Sequence, residues 1–184
     1  MVDVSPLVHI EIVVRSAEKA YEFLNRVFGA EKTEIEVANF LSSFGVAKVM
    51  HVKLGDVVLQ FIEPLTDASP WADHLNEKGP GVHNLTFSVK NMKEAIEALE
   101  KEGAKTLFEM PFDWGELFGS KNVRPDVAPV AMIGSEDILG FRLELSEDIF
   151  RGEKLQKIVD EITRARNSTP TAFEAVKNAM QTAK

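Results

Sequence analysis

Residues 79–105 read GPGVHNLTFSVKNMKEAIEALEKEGAK. Gly79-Pro80-Gly81 breaks the chain, and Val82 to Val89 has the β-branched and aromatic content of a strand. Asn91 stands where a helix cap belongs, ahead of apolar Met92, Ala95, Ile96 and Leu99, and Gly103 ends the helix. Residues 7–30, LVHIEIVVRSAEKAYEFLNRVFGA, follow the same plan. Leu7 to Val14 reads as a strand and Ser16 as a cap. The helix that follows carries apolar Ala20, Phe23, Leu24, Val27 and Phe28 and stops at Gly29. Three strand-like runs come after each helix. In the first half they are Thr33 to Phe40, Val46 to Leu54 and, across a Gly55-Asp56 turn, Val57 to Ile62, closed by Pro64. In the second they are Ala104 to Phe108, Val127 to Ile133 and Phe141 to Leu145. The chain thus reads as β-α-β-β-β twice over, an internal duplication with little residue identity.

This predicts an α+β fold in which two repeated β-α-β-β-β modules form an open, barrel-like mixed sheet, with a C-terminal helical extension. The expected divisions are a first module over residues 1–64, a linker over 65–80 holding Trp71 and His74, a second module over 81–147, and a helical tail over 148–184. The second module contains an inserted loop at 111–125, aromatic-rich and glycine-containing, of the kind that forms a lid or binding loop. In the tail, Leu155, Ile158, Val159 and Ile162 make a helical apolar stripe suited to the body or to a partner chain, and a homodimer is expected.

With 45% hydrophobic residues, a chain of 184 residues has enough apolar material for a sizeable core. Its formal net charge of −8 argues against nucleic acid as the main partner. No apolar run reaches the length of a membrane span, no charged-then-apolar leader follows Met1, and there is no cysteine. Disulfides and thiolate metal sites are therefore excluded. A cytoplasmic protein with no membrane partner, acting on a small molecule, is the expectation.

Four strands carry a metal-capable polar side chain: His9, Gln60, the His83-Asn84 step and Glu144. A polar group inside an apolar strand costs free energy unless it is paired or does chemistry. Alternation puts His9 and Glu11 on one face of the first strand, against Ile10, Ile12 and Val14. It puts Arg142 and Glu144 opposite Phe141, Leu143 and Leu145. In the fifth strand it groups Asn84 with Thr86 and Ser88, and His83 with Leu85, Phe87 and Val89. His51 and His74 read as ordinary surface or loop histidines.

Four segments, the two quoted above together with LGDVVLQFIEP (54–64) and LGFRLEL (139–145), resemble methylmalonyl-CoA epimerase-like members of the vicinal oxygen chelate superfamily. That superfamily also includes glyoxalases, bleomycin-resistance proteins and dioxygenases. The resemblance covers about residues 7–147 and implies one divalent metal (cobalt, nickel, zinc, manganese or iron) held by His9, Gln60, Glu144 and either Asn84 or His83. Epimerase-like members commonly have two histidines at the fifth strand, the second being the ligand, whereas this chain has His83-Asn84. An amide oxygen is a weaker and harder ligand than imidazole. Three outcomes stay open: Asn84 or water completes the site, a slip near Gly81 presents His83, or no metal is bound.

The function so implied is a metal-dependent isomerase or lyase acting on an acyl thioester or α-oxo small molecule through a metal-stabilised enolate. Glu144 and Glu11 are the catalytic candidates, and Arg142, Phe112, Trp114 and Asn84 would line the substrate pocket. The glutamate that the epimerases place near the second-to-third strand turn has no counterpart in Asn39 to Phe44, and Asp113 or Glu116 could substitute. Two other functions fit the same resemblance: a metal-free small-molecule binding or sequestering protein of the bleomycin-resistance type, and a non-haem iron dioxygenase. Glu11 and Arg142 could instead pair with one another, or Arg142 with Glu144.

Overall fold

A computed structural model describes residues 1–33, 45–110 and 130–147, apart from the side chains of Met110 and Glu147. The described residues divide into two compact units, one within Leu7–Thr86 and one of Met1–Pro6 together with those from Phe87 to residue 147. The division falls inside a strand, between Thr86 and Phe87.

The first unit contains β1 (Val4–Val13), α1 (Ala17–Phe28), β2 (Glu31–Thr33), β3 (Ala47–Leu54), β4 (Val57–Pro64), α2 (Pro70–Glu77) and the start of β5 (Gly81–Val89), with the first residues of β1 belonging to the other unit. The remainder of β5 leads into α3 (Met92–Lys101), β6 (Lys105–Met110), β7 (Val130–Gly134), α4 (Glu136–Leu139) and β8 (Arg142–Glu147). Strand order is β2-β3-β4-β1-β5 along the first unit and β5-β8-β7-β6 along the second. Each half therefore places its last strand beside its first, which is the duplication expected from sequence.

Local sequence accounts for most boundaries. Ser16 Oγ accepts from the Lys19 amide at 3.4 Å and Asn91 Oδ1 from the Glu94 amide at 3.1 Å, so the two long helices start with the same device. Gly29 ends α1 at φ 69°, a left-handed conformation that favours glycine. β1 runs parallel to β4, while β2–β3, β3–β4, β6–β7 and β7–β8 are antiparallel.

Two expectations need correcting. The segment 65–80 is not only a linker. It holds α2, which Ser69 caps by accepting from the Ala72 amide at 3.1 Å and which Pro70 opens at the first turn. The Ser-Pro pair was the available signal. On α1 the packed positions are Ala17, Ala20, Tyr21 and Leu24, set against Ala30, Val52 and Phe61. Phe23, Val27 and Phe28 are exposed, because the face toward the strands is carried by smaller side chains and a tyrosine. The second strand ends its described course at Thr33, and the expected strand to Phe40, the insertion 111–125 and the tail 148–184 lie wholly or largely outside the described residues. In the second unit, Val89, Met92, Ala95, Ile96, Ala131, Ile133 and Leu145 form the core between α3 and its strands.

Candidate functional site

Burial gathers polar side chains on one face of the first unit. Register alone brings three of them into a row: His51 on β3 lies opposite Gln60 on β4, and Gln60 lies opposite Glu11 on β1. His9 stands two residues before Glu11 and so shares its face. His51, Glu11, His83, Asn84 and Thr86 are all buried.

Glu11 is the hub. Its Oε1 accepts from Trp71 Nε1 at 2.8 Å, from His83 Nδ1 at 2.6 Å and from Asn84 Nδ2 at 2.9 Å. Because His83 Nδ1 donates here, its proton sits on that nitrogen. The Asn84 amide is engaged at both ends, since its Oδ1 accepts from Thr86 Oγ1 at 3.2 Å. With its one proton so committed, the Thr86 hydroxyl accepts from His9 Nε2 at 2.9 Å. His9 therefore keeps the lone pair on Nδ1.

The other end of the row is made by His51. Its Nε2 lies 2.8 Å from Gln60 Nε2, and its Nδ1 is buried with no hydrogen-bond partner. The His9 and His51 rings meet edge to face, with centroids 5.7 Å apart at 78°. Burial pushes the His51 imidazole down to about 4, with the neighbouring His9 adding to the effect and Glu11 opposing it. Burial also holds His9 below the usual histidine range, against the pull of Glu11. Both rings are uncharged near neutrality.

Of the residues expected from sequence, His9, Gln60, Glu11, Asn84 and His83 come together in this unit. Alternation does not separate His83 from Asn84. Both are buried and both reach Glu11 Oε1, so the start of β5 departs from simple in-out order. Arg142 on β8 donates to Glu136 of α4, and Glu11 takes its hydrogen bonds from Trp71, His83 and Asn84 rather than from an arginine. Glu144 stands half-buried on β8 opposite Met132 in the other unit. Phe112 and Trp114, with Asp113 and Glu116, lie outside the described residues.

Three participants were not expected. His51 is buried on β3 rather than sitting at the surface, Trp71 bonds Glu11 from α2, and Thr86 ties His9 to Asn84. The His51–Gln60 pair had a legible signal. A two-residue Gly55-Asp56 hairpin turn sets Leu54 opposite Val57, and counting back from there sets His51 opposite Gln60. His74 stacks edge to face on His83 at 5.3 Å.

A sequence profile of the glyoxalase/bleomycin resistance protein/dioxygenase superfamily matches residues 8–116, which is more than half of the chain. This chain belongs to that superfamily. The matched span takes in His9, Glu11, His51, Gln60, Trp71, His83, Asn84 and Thr86. Human mitochondrial methylmalonyl-CoA epimerase is 34% identical over 102 residues, covering 55% of this chain and 56% of the relative. The chain spans about half the length of the curated epimerases it matches. Methylmalonyl-CoA epimerase from Mycobacterium tuberculosis has the same fold, with a TM-score of 0.56 at 18% identity, over 84% of this chain and 93% of that one. A variant of Streptomyces coelicolor methylmalonyl-CoA epimerase in complex with 2-nitronate-propionyl-CoA superposes with a TM-score of 0.56 at 19% identity, over 79% of this chain and 98% of that one.

A divalent ion is implied by the resemblance. Among the described residues no three of histidine, aspartate and glutamate converge on one point. Asn84 spends its amide on Glu11 and Thr86. What remains is chemically suitable: two uncharged imidazoles, one with an unpartnered buried nitrogen, beside the Gln60 amide. Such a set favours zinc, cobalt or nickel.

Proposed function

We propose that this protein is an isomerase or lyase of the vicinal oxygen chelate type that moves the α-proton of an acyl thioester or α-oxo small molecule. The observation that carries the reading is the buried face where Glu11, His9, His51 and Gln60 meet, in a chain 34% identical to an epimerase over its matched span. The acyl-CoA analogue bound by the Streptomyces coelicolor relative supports a thioester as the substrate class. His9 and Gln60 would hold a divalent ion with Glu144. When bound, the ion would supply Lewis acidity at the substrate carbonyl.

The chain's own groups do the rest. Glu11 and Glu144 are the two carboxylates proposed to exchange the proton. One takes it from the α-carbon while the C–H electron pair moves toward the carbonyl oxygen, and a proton then returns to carbon as that pair moves back. Glu11 is fixed by three donors on Oε1, which leaves Oε2 as its working oxygen. His83, Asn84 and Trp71 hold it in place rather than react. Arg142 and the loop residues Phe112 and Trp114 are proposed to line the pocket. The protein is proposed to work in a cytoplasmic setting as a homodimer, and among the described residues no helix is long and apolar enough to cross a membrane.

The test is deuterium wash-in. Methylmalonyl-CoA and a small panel of other acyl-CoA and α-oxo acids are incubated with the full chain in deuterium oxide and followed by proton NMR. Loss of the α-proton signal in one of them, abolished in Glu144→Gln, is the expected result. No exchange in any of them, alongside tight binding of an aromatic ligand, would turn the reading to sequestration.

A further inference from the structure

We propose that His51 supplies the second imidazole of a divalent-cation site, with His9, in place of the ligand that Asn84 does not provide on β5. The inference rests on the metal-dependent reading above. It begins with an atom that has no partner: His51 Nδ1 is buried and makes no hydrogen bond, while Nε2 of the same ring faces the Gln60 amide. An amide reads either way round in a hydrogen-bond network. In one orientation Gln60 donates to Nε2, and the His51 proton is stranded on Nδ1 without an acceptor. In the other, Gln60 Oε1 accepts from Nε2–H, and Nδ1 presents a bare lone pair. Either arrangement leaves a buried nitrogen unsatisfied, at a cost of roughly 1–3 kcal/mol. A cation on Nδ1 removes that cost in the second.

The neighbouring ring is prepared in the same sense. Thr86 donates to Asn84 and accepts from His9 Nε2, which leaves His9 Nδ1 as the free lone pair. An imidazole held through one nitrogen by an oxygen acceptor, with the other nitrogen open, is the arrangement that orients histidine toward a metal. Two imidazoles sharing one ion at about 2.1 Å from each nitrogen have ring centroids about 5–6 Å apart. The His9 and His51 centroids are 5.7 Å apart. The superfamily's second histidine would thus have moved from the fifth strand to the third, and Asn84, relieved of that task, is free to anchor Glu11. Gln60 Oε1 then orients His51 with one lone pair and keeps the other for the ion.

The full chain, freed of metal by chelator and dialysis, is titrated with zinc while its histidine ring nitrogens are followed by long-range proton–nitrogen NMR. The expected result is that the His9 and His51 Nδ1 signals move together at one equivalent of zinc while those of His74 and His83 stay put. In a parallel titration with cobalt, read by its visible absorption, His51→Ala should weaken binding at least ten-fold and His9→Ala by a similar factor. The NMR readout uses the unsubstituted protein, so it stands even where His51→Ala fails to fold. Zinc bound through His9 and His83, with His51 unmoved, overturns the inference and leaves the metal-dependent reading intact. No binding of zinc or cobalt at millimolar concentration overturns both.

Discussion

Glu11 accepts three hydrogen bonds on one oxygen while almost completely buried, and its removal has a calculable consequence. Glu11→Ala leaves the Trp71 indole, the His83 ring and the Asn84 amide without their acceptor. Unsatisfied buried donors cost roughly 1–3 kcal/mol each, less where relaxation or water restores a partner, so a loss of about 3 kcal/mol or more is expected in urea unfolding. Glu11→Gln keeps a carbonyl oxygen at the same place and should lose about 1 kcal/mol. Equal losses in the two variants would show that the acceptor is not what matters. His51 leads to a prediction in pH. Its folded value is about 4, below the ordinary 6.5, so as pH falls the unfolded chain takes up the proton first. The stabilisation is complete above pH 6.5 and is lost progressively down to about 4, a change on the order of 3 kcal/mol. In the metal-free protein, the unfolding free energy of His51→Gln should therefore fall less than that of the parent between these limits. Parallel acid slopes would sink the idea that His51 is buried neutral.

At the scale of elements, legibility followed the range of the interaction. Ser16, Asn91, Gly29 and the Gly55-Asp56 turn act on neighbours within four residues, and the helices and the β3–β4 hairpin stand where those residues place them. Ser69-Pro70 is an equally local signal, and α2 obeys it. Alternation predicted that His9 and Glu11 share a face, because that follows from the strand's own period. It was less informative at the start of β5, where His83 and Asn84 are both drawn to Glu11. There the partner is 72 or 73 residues away in the chain, and the hydrogen bonds outweigh the local pattern. On α1, apolar spacing overcounted the packed face, since hydrophobic period says which residues can face a sheet and not how wide the sheet's welcome is.

For the whole molecule, the charge of −8, the absence of cysteine and the doubled β-α-β-β-β pattern already restricted the chain to a cysteine-free α+β protein of duplicated plan, and the superfamily match agrees. Assembly is a prediction at this scale. The stripe Leu155, Ile158, Val159 and Ile162 would be exposed on an isolated body, so the intact chain should have the mass of a dimer by light scattering. Deletion from Phe150 onward should lower that mass or the melting temperature. An unchanged mass and an unchanged melting curve would dismiss a role for the tail. The composition of the site divides along the same line. His9, Gln60 and Glu11 could be nominated from the chain alone, because a polar residue in an apolar strand is conspicuous wherever the strand ends up. That His51 is buried against His9, that Trp71 reaches Glu11, and that Asn84 serves Glu11 and Thr86 rather than an open position, depended on which strands and helices lie side by side. Hydrogen-bond partners and desolvation are set by neighbours in space, and one residue type in one local pattern is compatible with many sets of such neighbours.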